Sequence, residues 1–341
     1  MFEGEGRVSK RKIKCAVVGY GGAFKMGKAH AQWINDTGRM VTVAACDVDA
    51  ARMEEAKKDF PGIQTCTSID DLLAKSNAEL VVIVTPHSTH APLALKALNA
   101  GRHVVLEKPM CITVDEATAM IRAAKKSGVA LTTFHNRRHD GDYMAIKEVI
   151  EKGTIGDIFQ LEAFMGGFHH PGQWWRSEKA ISGGCMYDWG AHFVDWILNF
   201  IPQKMESITG FAHKILWKDI TNEDQSQAII KFKNGATADL TISTIAFAGK
   251  PRFRILGTKG AIVDHWGGTF KVMTQVDGIN VEGEVKYKEG TWPLYYVNLA
   301  AHVLDGAPLE VTPESSRRVI AVIETADKSA RAGKTLPAPV E

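Results

Sequence analysis

Lys108 stands in Glu107-Lys108-Pro109, directly after the apolar run His103-Val104-Val105-Leu106. The run reads as a buried strand, and the proline stops it. In a parallel nucleotide-binding sheet, ligands bind outside the carboxyl ends of the strands. Lys108 is therefore predicted to point into a crevice at that edge. A cation placed there polarises a carbonyl or stabilises an alkoxide. A second group lies downstream, in Gly183-Gly184-Cys185-Met186-Tyr187-Asp188-Trp189-Gly190-Ala191-His192-Phe193-Val194-Asp195. Asp188 and His192 are four residues apart on a predicted helix, hence on one face. A carboxylate beside an imidazole raises its basicity and fixes its tautomer. Such a histidine can take a proton from an alcohol while hydride leaves the same carbon. The alternative is a purely structural Asp–His pair.

Gly19-Tyr20-Gly21-Gly22 follows a predicted strand and precedes a predicted helix, the context a dinucleotide fingerprint requires. The first glycine makes the tight turn. The second lets backbone approach a pyrophosphate resting on helix N-terminal amides. Strict G-x-G-x-x-G spacing needs glycine at position 24, where Phe24 stands; the next glycine is Gly27. The loop is thus longer than usual, and Ala23 and Phe24 join Gly19, Gly21 and Gly22 as candidate cofactor contacts. Asp47 lies just past the second strand. A carboxylate there accepts both ribose hydroxyls of NAD and repels a 2′-phosphate. The competing role is a helix N-cap, because Asp47 and Asp49 both precede a helix. NAD is favoured over NADP, with Arg52 the nearest cation for a phosphate. Thr85, Pro86 and His87 end the next strand at the same edge. His90 falls in the following helical turn, where packing against amides is the common role.

Those groups need a scaffold. Apolar runs at 13–18, 41–46, 80–84, 103–106 and 130–134 read as strands. Helical stretches at 27–35, 49–59, 67–75, 89–100 and 114–127 lie between them. Continuous apolar strands alternating with short helices indicate a doubly wound α/β domain over 12–135. Ser68 is a candidate N-cap, and Gly101 a candidate C-terminal glycine. From 136 the texture changes. After a helix at 143–152, longer alternating strands are predicted at 159–164, 208–213, 227–232, 237–244, 252–257, 261–264 and 269–274. A helix at 187–200 interrupts them. This is the α+β pattern of an open-faced, mostly antiparallel sheet, assigned to 136–333. A closing helix at 314–332, between Pro313 and Gly333, is expected to pack back on the first domain. Residues 337–341 read as a loose tail.

The 341 residues suffice for two cores, and the net charge of +2 gives no pull toward nucleic acid or membrane. The basic run from Arg7 to Lys14 reads as a solvated tail. The apolar stretch after it ends at Gly19, too soon for a signal peptide, and no run reaches membrane-span length. Five cysteines without C-x-x-C spacing point to a reduced, cytoplasmic protein.

The motifs above, with Gly27-Lys28-Ala29-His30, Asn136-Arg137-Arg138 and Trp175-Arg176, resemble the Gfo/Idh/MocA family of oxidoreductases, and they span nearly the whole chain. The resemblance implies a Rossmann domain, an open-faced sheet domain, a nicotinamide cofactor and sugar or cyclic polyol substrates. It implies Lys108 as the catalytic lysine, with Asp188 and His192 completing the proton-transfer group. Trp175 and Arg176 are expected near nicotinamide and substrate. Asn136, Glu107, Thr85, Pro86, His87 and His90 join the cofactor contacts. Arg137 and His169 join Lys108, Trp175, Asp188 and His192 as substrate contacts. The aromatic stretch 168–176 is the expected sugar platform, or else a self-packed loop. No metal is expected: adjacent His169 and His170 are poorly placed to share one ion. Homodimers or homotetramers are expected through the open sheet. Two other readings remain: redox-neutral glycoside processing with retained NAD, and a non-catalytic NAD sensor. Whether Lys108 or His192 takes the proton is left open.

Overall fold

The computed structural model describes residues 11–22 and 24–339. Ala23, the first half of the basic run (7–10) and the end of the predicted tail (340–341) lie outside the described residues. The first sheet collects β1 (Ile13–Val18), β2 (Met40–Cys46), β3 (Gln64–Cys66), β4 (Leu80–Ile83), β5 (His103–Leu106) and β6 (Leu131–Thr133). All are parallel, in the order β3-β2-β1-β4-β5-β6. That is the dinucleotide-binding order, and it reverses between β1 and β4, where a crevice opens at the carboxyl ends. Every residue of β4 is buried, as a strand covered on both faces requires.

The crossover helices are α1 (Met26–Asp36), α2 (Ala50–Asp59), α3 (Ile69–Lys75), α4 (His90–Asn99) and α5 (Val114–Ser127). Local chemistry sets their ends. The Ser68 hydroxyl accepts from the amide of Asp71, which starts α3. Thr113 and Glu116 form a reciprocal capping box on α5, and Gly128 ends it at φ 65°. Such a cap contributes about 1 kcal/mol.

The rest of the chain contains α6 (Gly141–Glu151), β7 (Ile158–Gly166), α7 (Lys179–Ser182), α8 (Trp189–Phe200), β8 (Met205–His213), β9 (Gln225–Phe232), β10 (Thr237–Ser243), β11 (Phe253–Gly257), β12 (Gly260–Asp264), β13 (Thr269–Val276) and β14 (Ile279–Lys286). Then come α9 (Leu294–Asp305), α10 (Pro313–Ala332) and a short β15 (Leu336–Pro337). The second sheet runs β14-β13-β12-β11-β7-β10-β9-β8-β15. Only β7 and β10 pair in parallel. Helices α8 and α10 cover one face, where Trp196, Ile197, Val319 and Ile320 meet Leu161, Ile230 and Leu240. The other face carries polar pairs such as Arg254–Glu162 and Gln227–Asp239.

The closing helix α10 is capped by Thr312, whose hydroxyl accepts from Ser315, with proline in its first turn. It packs on α5 of the first domain as well as on β8. The helix α9 had no counterpart in the sequence reading. Tyr295, Tyr296, Leu299 and Ala300 join Val17, Val82, Val105 and Phe134 under the first sheet. Residue 337, expected in a loose tail, instead pairs with Ser207 of β8, and the amide of Ala338 bonds to Glu206. The expected strand list also lacked β3, β14 and β15. All five cysteines are free, and among the described residues no helix is long and apolar enough to cross a membrane.

Candidate active site

The crevice outside β1 and β4 holds about 730 Å³. Its floor is glycine. Gly19 has φ +91°, and a Cβ there would stand 2.2 Å from the carbonyl oxygen of Val84. A Cβ on Gly27 would stand 2.6 Å from Tyr20 Cα, so α1 and the turn after β1 meet backbone to backbone. No side chain caps the N-terminus of α1, and its first turn carries no acid. Those amides are open to an anion.

The amide of Gly21 donates to Asp47 Oδ2 at 2.8 Å. The cap of α2 is Asp49, which accepts from the amide of Ala51 at 2.9 Å. Asp47 is thus not the helix cap and lines the crevice beside Thr67 and Ser68. Arg52 Nη2 lies 2.6 Å from where a Gly22 Cβ would be, and pairs with Glu55 and Asp49. The cradle therefore fits a dinucleotide: a turn too tight for any Cβ, uncapped amides, and a carboxylate at the end of β2.

Phe24 takes a left-handed conformation, φ 58°. Its ring meets Trp174 edge-on at 5.9 Å, reaching from the glycine loop to the second domain. The Arg176 guanidinium lies 5.2 Å from Phe24, 5.2 Å from Trp174 and 5.1 Å from Trp175. Thr85 and Pro86 line the same wall, and Thr89 donates to the Thr85 hydroxyl at 2.7 Å. His87 also lines it. Its Nδ1 lies 2.7 Å from the Ser182 carbonyl, so Nδ1–H donates. Burial pushes its pKa down to about 3, so the ring is neutral.

Lys108 Nζ donates to Asp188 Oδ1 at 2.7 Å and approaches the Asp188 carbonyl at 3.3 Å. Arg176 Nη1 donates to the same Oδ1 at 2.8 Å. Burial raises the Asp188 pKa, but the two cations outweigh it and hold the carboxyl well below the usual range. His192 also lines the crevice. Burial, then the charges of Lys108 and Arg137, hold its pKa well below 6.5, so its ring is a neutral acceptor. Arg137 stacks over Trp189 at 4.6 Å, with Trp292 at 5.5 Å, and bonds to Asp140 at 2.8 Å. Asn136 completes that side of the crevice.

Four expectations change. Asp188 is not within the helix but precedes α8 as its N-cap residue, at φ −81° and ψ −89°. Its carboxylate turns to Lys108 and Arg176, and His192 Nδ1 has no protein hydrogen-bond partner. Asp188 therefore does not orient His192. His90, expected at the cofactor, is fully buried behind the wall, between the carbonyls of Pro109 and Thr85. His169, expected at the substrate, is exposed beyond β7, its amide bonded to Thr244, and it does not line the crevice. Glu107 lines the crevice, but its carboxylate turns inward onto His30 and the Lys108 amide. Arg138, next to Arg137 in the chain, lies outside the crevice and pairs with buried Asp195 at 2.6 Å. Sequence reasoning missed Trp292, which sits in a stretch without periodicity, and Trp189, whose only signal was its place between Asp188 and His192.

Residues 13–135 match the family model described as an oxidoreductase family, NAD-binding Rossmann fold. Residues 143–263 match the GFO/IDH/MocA C-terminal domain. The chain is 27% identical over 316 residues to the scyllo-inositol 2-dehydrogenase (NADP(+)) IolW of Bacillus subtilis, covering 84% of this chain and 86% of that one. The solved structure of YvaA from Bacillus subtilis superposes with TM-score 0.88 at 25% identity, over 98% of this chain and 100% of its own. The WlbA dehydrogenase of Bordetella pertussis, solved with NADH and UDP-GlcNAcA, superposes with TM-score 0.82 at 25% identity, over 97% and 100%.

Proposed function

The chain belongs to the Gfo/Idh/MocA family of oxidoreductases, and on that premise we propose that it oxidises a secondary hydroxyl of a sugar, sugar derivative or cyclitol with NAD. The carrying observation is the Lys108–Asp188–Arg176 cluster beside neutral His192, at the carboxyl edge of a dinucleotide fold. A bound nicotinamide supplies the hydride acceptor. The protein's own work is binding, orientation and proton transfer. His192 presents a neutral imidazole nitrogen to the substrate hydroxyl and takes its proton. Lys108, fixed on Asp188, stabilises the oxyanion that develops as the proton leaves. Arg176 shares the same Asp188 oxygen with Lys108 and, through its aromatic neighbours, positions the substrate end of the crevice. Trp175, Trp189 and Trp292 offer flat apolar surfaces to a sugar ring's CH face.

Asp47 supports NAD over NADP, since its carboxylate faces the crevice and a 2′-phosphate would meet that charge. Arg52 is the counterweight, but it is held by Glu55 and Asp49. The test is nicotinamide absorbance with a panel of inositols, sugars, glycosides and 1,6-anhydrosugars, run with NAD and NADP in parallel. A rise with one substrate class, faster with NAD, is expected. No rise with any substrate, while a glycoside is consumed on retained NAD, would replace this reading with redox-neutral processing.

A further inference from the structure

His30 makes no contact with the crevice, yet it is fully buried in α1 with both ring nitrogens engaged. Nε2 lies 2.9 Å from Glu107 Oε1, and Nδ1 lies 2.6 Å from the Tyr296 hydroxyl. The second oxygen of Glu107 accepts from the Lys108 amide at 2.9 Å. Burial raises the Glu107 pKa, but the His30 bond and nearby Lys108 bring it below the ordinary value, so the carboxylate is ionised. An ionised carboxylate only accepts. His30 Nε2–H must therefore donate to it, and Nδ1 on the other side of the ring is held by the Tyr296 hydroxyl. Phe134 packs on the imidazole at 4.5 Å and Trp33 at 5.4 Å, fixing the ring plane. His90, His135, Lys108 and Tyr295 share the surroundings of Glu107.

We propose that Tyr296, His30 and Glu107 form a positioning relay that fixes the backbone of Lys108, so that a helix from the far end of the chain sets the geometry of the catalytic amine. None of the three touches the substrate in this account. Tyr296 comes from α9, His30 from α1 and Glu107 from the end of β5, so the relay joins three elements under one residue. It rests on the catalytic role of Lys108 given above.

Tyr296→Phe keeps the ring packing and removes one hydroxyl. Glu107→Gln keeps the shape, but its amide offers one acceptor where two donors arrive. The expected losses in kcat are about fivefold for Tyr296→Phe and about thirtyfold for Glu107→Gln. In both, NAD binding by tryptophan fluorescence stays within about threefold, since neither residue touches the cofactor through its mutated atoms. In cofactor-free protein, a downfield imidazole N–H proton signal is expected that shifts in Tyr296→Phe and vanishes in His30→Gln. Unchanged kcat with an imidazole signal unmoved in Tyr296→Phe would overturn the relay, as would a loss that follows thermal stability alone. Lys108→Ala run alongside separates the two claims. If it turns over like wild type, the reading of Lys108 fails. If it is inactive while the relay variants are normal, only the relay fails.

Discussion

At the scale of single residues, the crevice is organised by which carboxylate holds which cation. Sequence spacing put Asp188 and His192 on one helical face, and the four-residue separation is real. The backbone nevertheless leaves helical geometry at Asp188, so its side chain turns to Lys108 and Arg176. Spacing reports a shared face only inside a helix, and a residue at the cap is outside that rule. The position of Lys108 in the crevice was legible because a strand end at a parallel sheet has one direction to point. The bulk of Glu107's work was not, since its partners His30 and Tyr296 are 77 and 189 residues away in the chain. Asp47 carries a prediction at this scale. Asp47→Ala should raise the KM for NAD about tenfold or more, the worth of hydrogen bonds to a charged group, and narrow the preference over NADP. Parallel initial rates with the two cofactors check it. An unchanged ratio would remove Asp47 from the ribose site.

At the scale of elements, the strands and helices with strong local signals were readable. Strands β1 and β5 and helix α5 match their expected bounds, because continuous apolar runs and a capping box are local features. The short strand β3 and helix α9 were not. A three-residue strand carries almost no periodicity, and α9 is defined by tyrosines that find their partners under a distant sheet. The second sheet is held by a buried network that sequence could not show. Asp264 is fully buried and accepts from Arg252 Nε at 2.6 Å and from the Tyr287 hydroxyl. Arg252 also pairs with Asp142 of α6, and its guanidinium lies 4.8 Å from Trp266 and 5.5 Å from Trp196. Removing one member leaves a buried charge short of a partner. Asp264→Ala should lower the unfolding free energy by about 3 kcal/mol, read from urea midpoints. A change below about 0.5 kcal/mol, as at an ordinary surface position, would show that the network does not support the sheet.

At the scale of the whole molecule, buried neutral histidines make stability depend on pH. His87 falls from 6.5 to about 3 and His135 to about 4, burial being the largest cause in each. Both are neutral when folded and bind protons when unfolded below about pH 6.5, so the unfolded state takes up more protons as pH falls. Stability is then full above that pH and declines toward the folded values. Each contributes up to about 1.4 kcal/mol per pH unit in that window. Urea midpoints should fall between pH 7 and 5, before most carboxylates titrate, and a flat profile there would mean these rings are solvated. The polar open face of the second sheet is the surface on which a dimer or tetramer is expected, and light scattering at micromolar concentration reads it. The central claim concerns chemistry, and Lys108→Ala tests it most directly, with turnover and NAD binding measured on the same preparation. The account predicts NAD binding within about threefold of wild type and kcat lower by about a thousandfold, the loss of a charge that acts only as the oxyanion forms. Turnover within about tenfold of wild type, with NAD bound normally, would contradict it.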